Sequence, residues 1–209
     1  MKMVIGPDIG IWSTAQFIKY PSDEAYVGWH QDGRYWAMLS DQVVTAWIAL
    51  SPSTRHNGCL LVVPGSHRRG LLPHREGVSS TNILSRQQEV ALDITDTEVR
   101  RLELSPGEFS LHHVNLVHGS GPNETNQKRV GFVIRYIGPS VQQYRARLDV
   151  TMAVGEAASF RHANVVAAPK SNDMVAELEK FESTVRSFLQ EVRRAADALG
   201  HDRRETRDA

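Results

Sequence analysis

Cysteine is all but missing: Cys59 stands alone among 209 residues. A single thiol cannot build an internal disulfide framework, and such usage fits a reducing compartment. Net charge is missing as well. Lys plus Arg number 24 and Asp plus Glu number 24, so nothing electrostatic draws the chain to nucleic acid or to an anionic membrane. No run approaches the ~18 consecutive apolar residues of a membrane helix. Met1 to Ile5 meets Gly6-Pro7-Asp8 before a leader's apolar stretch develops, so no signal peptide is expected and the chain reads as cytoplasmic. Without export, the formal glycosylation sequon Asn123-Glu124-Thr125 reads as a polar loop. GxGxxG, Walker-type, GxSxG and CxxC motifs are also absent, which leaves nucleotide, serine-hydrolase and thiol-redox functions unsupported.

What remains is an ordinary one-domain composition, 41% hydrophobic and 23% charged, with a generous nine histidines. Between residues 11 and 137, short β-branched runs alternate with turn residues. The runs are Ile11 to Ile18, Val43 to Leu50, Cys59 to Val63, Glu108 to His112 and Val130 to Ile137. Ser51-Pro52, Asn57-Gly58, Pro64-Gly65, Ser105-Pro106-Gly107 and Gly138-Pro139 punctuate them. Strand-length runs bounded by turn chemistry predict an all-β sandwich or barrel. The more polar residues 75–98 read as an excursion between strands. After residue 170 the period changes. Met174, Leu178, Phe181, Val185, Phe188, Val192, Ala195 and Leu199 fall on one helical stripe, with Ser171-Asn172-Asp173 to start it and Gly200 to stop it. An amphipathic helix over about 172–199 is expected, packed on the core or at a homodimer interface. The domain reading is therefore 1–140 for the β core and 141–209 for a C-terminal extension.

His30-Gln31-Asp32 is an HxD pair. By itself it means little, as His74-Arg75-Glu76 shows. At a strand end, however, the two-residue period sets His30 and Asp32 on one face and turns Gln31 away. His118, between two predicted strands, can add a third ligand. Two His and one carboxylate on one face of an octahedron leave three positions open, the arrangement that suits non-haem Fe(II) oxygenases. Two of those positions can take 2-oxoglutarate and the third O2. The far carboxylate of 2-oxoglutarate needs a cation, and Arg129 can clamp it with a bidentate contact. His112 and His113 read as strand residues rather than ligands.

The order of motifs resembles the phytanoyl-CoA dioxygenase family of Fe(II)/2-oxoglutarate oxygenases. The carrying residues are Gly28-Trp29-His30-Gln31-Asp32, Tyr35-Trp36, Thr45-Ala46-Trp47-Ile48-Ala49-Leu50 and Asn57-Gly58-Cys59-Leu60. They continue with Val63-Pro64-Gly65-Ser66-His67 and His118-Gly119-Ser120-Gly121-Pro122-Asn123 through to Arg129. The resemblance implies a double-stranded β-helix, the cupin-like jelly roll. It implies iron ligation by His30, Asp32 and His118, and Arg129 on the 5-carboxylate. Trp47, Ser120 and Gln31 fall with the cosubstrate contacts, and His67 in a structural turn. It further implies hydroxylation of a small organic molecule with release of succinate and CO2. Related halogenases have a small residue where Asp32 stands, which favours hydroxylation here. Against the family pattern the chain is short ahead of its first core strand.

Two other functions fit parts of the pattern. A zinc hydrolase could use the same three ligands, but it gives Arg129 no role. A non-catalytic jelly roll could bind a ligand, or dimerise through the C-terminal stripe. The substrate is not legible: Arg34, Tyr35, Trp36 and the 68–98 excursion fit a pocket lining and fit equally a generic role as surface and core residues.

Overall fold

The computed structural model describes residues 1–77, 79–84, 87–95, 98–144 and 147–168, together with 186, 190 and 194. Twelve strands dominate it: β1 (Ile9–Lys19), β2 (Val27–His30), β3 (Val43–Ala49), β4 (Leu60–Val62), β5 (His74–Glu76), β6 (Gln88–Val90), β7 (Arg100–Leu102), β8 (Phe109–His113), β9 (His118–Ser120), β10 (Arg129–Ile137), β11 (Leu148–Val154) and β12 (Ala163–Val166). The α-helices are short, α1 at Lys2–Ile5 and α2 at Asp32–Trp36. The expected runs at 11–18, 43–50, 59–63, 108–112 and 130–137 all became strands, displaced by one or two residues at their ends. The predicted helix over 172–199 lies outside the described residues, apart from three isolated positions. No helix among the described residues is long and apolar enough to cross a membrane.

The chain divides into two compact units: Met1–Trp12 with Gly33–Gln42 and Ile137–Ala209, and Ser13–Asp32 with Val43–Tyr136. In the first unit the start of β1 pairs antiparallel with β11, which pairs parallel with β12. Asp8 fastens the turn after β11, accepting the Glu156 N–H at 2.9 Å and the Ser159 hydroxyl at 2.7 Å. Tyr35 and Trp36 are buried, and Trp36 meets Trp12 edge-on at 5.0 Å.

The second unit is a β-sandwich of jelly-roll type. One sheet runs β1-β10-β3-β8 and the other β2-β9-β4-β7, while β5 and β6 form a separate hairpin. The 75–98 excursion is therefore built on that hairpin. Alternation along β10 buries Arg129, Gly131 and Val133 on one side, as a strand's two-residue period requires. Trp47, Ala49 and Val133 form an apolar cluster with Phe17 and Leu104, and Leu72, Val90 and Val117 form another with Trp29 and Val63. Asn123 is only 1% exposed, and its amide donates to the carbonyls of Lys19, Tyr20 and Gln127. The sequon's asparagine is thus a buried staple of its loop.

Candidate metal centre

All the candidate residues lie in the second unit. His30 ends β2 and His118 opens β9, and the two are partners in the β2–β9 ladder. Asp32 reaches them differently from the expectation. It is the first residue of α2, so the strand stops at His30 and the two-residue period does not carry across. The HxD straddles a strand-to-helix junction, and that turn brings the carboxylate round. Its Oδ1 lies 3.5 Å from His30 Nε2 and 4.0 Å from His118 Nε2. One ligand atom from each of the three residues falls within 4.8 Å of the others.

The chemistry of these donors suits a divalent metal. His30 Nδ1 sits 2.9 Å from the Gly28 carbonyl and His118 Nδ1 2.9 Å from the Leu116 carbonyl. A carbonyl oxygen only accepts, so each Nδ1 donates, which leaves each Nε2 as the ring atom turned toward the Asp32 carboxylate. Burial, with His30 close by, pushes the His118 imidazole down to about 3, against a pull upward from Asp32. Burial alone would raise the Asp32 carboxyl, but His112, His30 and His118 around it hold it well below the usual carboxylate range. The set is therefore two imidazoles, the His118 ring held neutral by burial, around an ionised carboxylate.

Beside it lies a cationic end. Arg129 is 3% exposed, and its guanidinium lies 5.3 Å over the Trp47 ring. Its Nη2 reaches Ser120 Oγ at 3.5 Å, while Nε has no partner. Ser120 Oγ in turn donates to the Gly58 carbonyl at 2.8 Å. No carboxylate pairs with Arg129 among the described residues, and burial pulls its pKa down to about 10. An unpaired buried cation is costly. Such a site fits an anion arriving from outside the chain.

Gln31 does turn away, and its amide is fully engaged. The side-chain carbonyl accepts the Leu72 N–H at 2.7 Å, and the NH2 donates to the carbonyls of Gly70 and Asn115. His67 lies in the 3-10 turn Ser66–Arg69, its ring 5.3 Å from His113. Three residues go beyond the expectations. Thr45 and His112 approach Asp32, at 3.5 Å and 3.8 Å from Oδ2. Lys19, 2% exposed, donates to the carbonyls of Ala25, Ser120 and Gly121. Strand parity places Thr45 on a face with Trp47 and Lys19 on one with Phe17, but it does not say what lies across from them.

The phytanoyl-CoA dioxygenase (PhyH) family pattern matches residues 4–131, which includes every candidate ligand and Arg129. The chain belongs to the phytanoyl-CoA dioxygenase family. Among relatives of this PhyH chain, a Caenorhabditis elegans protein named "Probable phytanoyl-CoA dioxygenase" is 34% identical over 116 residues, 55% of this chain and 37% of its own length. A Stutzerimonas stutzeri protein named "Probable alpha-ketoglutarate-dependent hypophosphite dioxygenase" is 33% identical over 139 residues, 65% of this chain and 48% of its own. The PhyH chain thus spans less than half the length of these curated relatives. Among solved structures, the non-heme monooxygenase ThoJ in its apo form matches with a TM-score of 0.81 and 28% identity, over 94% of this chain and 72% of that one. EvdO2 from Micromonospora carbonacea var. aurantiaca, complexed with 2-oxoglutarate, matches with a TM-score of 0.56 and 26% identity, over 66% and 55% of the two chains.

Proposed function

We propose that this chain is an Fe(II)- and 2-oxoglutarate-dependent oxygenase that hydroxylates a small organic molecule and releases succinate and CO2. The observation that carries the reading is Arg129, a buried guanidinium without an anionic partner among the described residues, in the same unit as two imidazoles and a carboxylate. A zinc hydrolase using that donor set would leave Arg129 idle. The names of the relatives and neighbours support the oxygenase.

His30, Asp32 and His118 would hold the iron. Bound iron supplies activation of O2, coupled to oxidative decarboxylation of the keto acid. The remaining work belongs to the chain. Arg129 receives the far carboxylate of 2-oxoglutarate as a bidentate donor, with Trp47 beneath the guanidinium and Ser120 beside it. Gln31 serves the same site by tying the 70–72 loop to Asn115, just ahead of β9. The Nδ1 contacts to Gly28 and Leu116 keep both rings in the metal-binding tautomer. In this reading residues 1–140 form a double-stranded β-helix core in a cytoplasmic enzyme, and the stripe over 172–199 packs on that core or pairs two copies.

The test is succinate release from 2-oxoglutarate, measured with and without Fe(II) across a panel of small organic substrates. Release should require Fe(II) and vanish in His30→Ala and Asp32→Ala. Turnover that survives either substitution would sink the assignment.

A further inference from the structure

The two oxygens of Asp32 live in different surroundings. Oδ1 faces the nitrogens of His30 and His118, at 3.5 and 4.0 Å. Oδ2 faces the opposite sheet, with Thr45 Oγ1 at 3.5 Å and His112 Nε2 at 3.8 Å. The register makes this pair a unit: Thr45 on β3 and His112 on β8 are direct cross-strand partners. Side chains opposite one another in an antiparallel ladder lie close on the same face, so both reach the same oxygen.

His112 has no other polar engagement among the described residues. It is 5% exposed, and its Nδ1 is buried without a partner. Burying an unpaired ring nitrogen is unfavourable, and an apolar residue of similar shape would fill the space without that loss. A histidine kept for packing or for loop structure would show its nitrogens satisfied, as His74 does toward Leu72 and Gln31. The one polar role visible for the His112 ring is toward the Asp32 carboxylate.

We propose that His112 and Thr45 are positioning residues for the metal-binding carboxylate: together they hold Oδ2, so that Oδ1 alone is presented alongside His30 and His118. The consequence is chemical. A carboxylate offering one oxygen fills one coordination position, whereas one offering both fills two. A keto acid chelating through two atoms, plus O2, needs all three positions that a facial triad leaves open. Holding Oδ2 keeps the third available. This inference rests on the triad reading of the proposed function.

The experiment is Mn(II) titration of the purified full chain, read by calorimetry, with the melting temperature of the metal-free protein recorded beside it. Variants come in pairs. Thr45→Val removes the hydroxyl at nearly constant shape, and Thr45→Ser restores it. His112→Leu removes the ring donor, and His112→Gln returns an N–H at a similar reach. Thr45→Val and His112→Leu should weaken Mn(II) binding roughly 10–100-fold, the usual loss when the partner of a metal ligand is removed. Thr45→Ser and His112→Gln should stay near wild type. The Thr45 pair differs by so little that folding does not confuse the comparison. Wild-type affinity in Thr45→Val and His112→Leu would overturn the inference. So would equal losses within each pair, which mark a packing effect. His30→Ala separates the two levels: if it binds Mn(II) unchanged, the triad reading falls and this one with it. If it abolishes binding while Thr45→Val and His112→Leu leave it intact, the positioning role alone falls.

Discussion

At the scale of single residues, charge burial makes the sharpest claim. Burial, with Arg129 close by, pushes the Lys19 ammonium down to about 8, against a smaller upward pull from Asp23. The folded state therefore refuses a proton that the unfolded chain, near its ordinary 10.5, still holds. The penalty is fully present below pH 8 and is relieved as pH climbs from 8 toward 10.5. Wild-type stability relative to Lys19→Met should rise over that window, by on the order of 3 kcal/mol at 1.36 kcal/mol per pKa unit. Urea unfolding of both proteins at stepped pH measures it, and a flat difference would disprove it. On the acid side of metal-free protein the slope has the same sign. As pH falls from 6.5 toward 3, the unfolded chain protonates His118 while the fold does not, and stability declines. Asp32, held well below its ordinary 3.8, adds to that decline at the lowest pH. Of these residues the sequence displays the three candidate ligands and Arg129, because an HxD, a distant His and a nearby Arg form a readable order. Thr45, His112 and Lys19 are invisible there. Each matters only through what lies across a strand, and no local pattern records that.

At the scale of elements, the long apolar strands were legible and those bearing the candidate ligands were not. β3 and β10 announce themselves by β-branched alternation between turn signals. β9 is His118-Gly119-Ser120, without a single apolar side chain. It is a strand because β2 and β4 pair with it on either side, so tertiary context overrides propensity. Asp32 escaped the parity argument for the same kind of reason: α2 begins where alternation predicts more strand. Packing between elements yields the next prediction. A Cβ added at Gly131 on β10 would lie 2.2 Å from the Trp47 ring on β3, and that ring supports Arg129. Gly131→Ala should cost about 1–3 kcal/mol as an overpacked core does, seen as a lower melting temperature. By shifting Trp47 it should also weaken 2-oxoglutarate binding roughly tenfold, about 1.4 kcal/mol. Calorimetry with unchanged affinity and unchanged melting would rule this out.

At the scale of the whole molecule, an all-β sandwich was foreseeable from strand count and turn chemistry. The division into two units was not, since the first gathers segments from both ends and from 33–42, an arrangement no linear composition shift betrays. The ladder that pairs His30 with His118 has a further meaning in time. Those partners stand 118 − 30 = 88 positions apart, so closing that pairing is among the entropically demanding events of folding. Until it closes, no metal can meet both imidazoles. Ion capture at this candidate site is therefore expected to be a late event, following topology rather than guiding it. Mn(II) at a hundred times its dissociation constant should stabilise the native protein by about 2.7 kcal/mol. Stopped-flow kinetics should find that gain almost wholly in slower unfolding, with the refolding rate unmoved. Refolding accelerated by Mn(II) would mean instead that the ion assembles the ladder. With the refolding rate unmoved, the chain emerges from synthesis already competent in shape, and its loading is set by metal supply after folding is done.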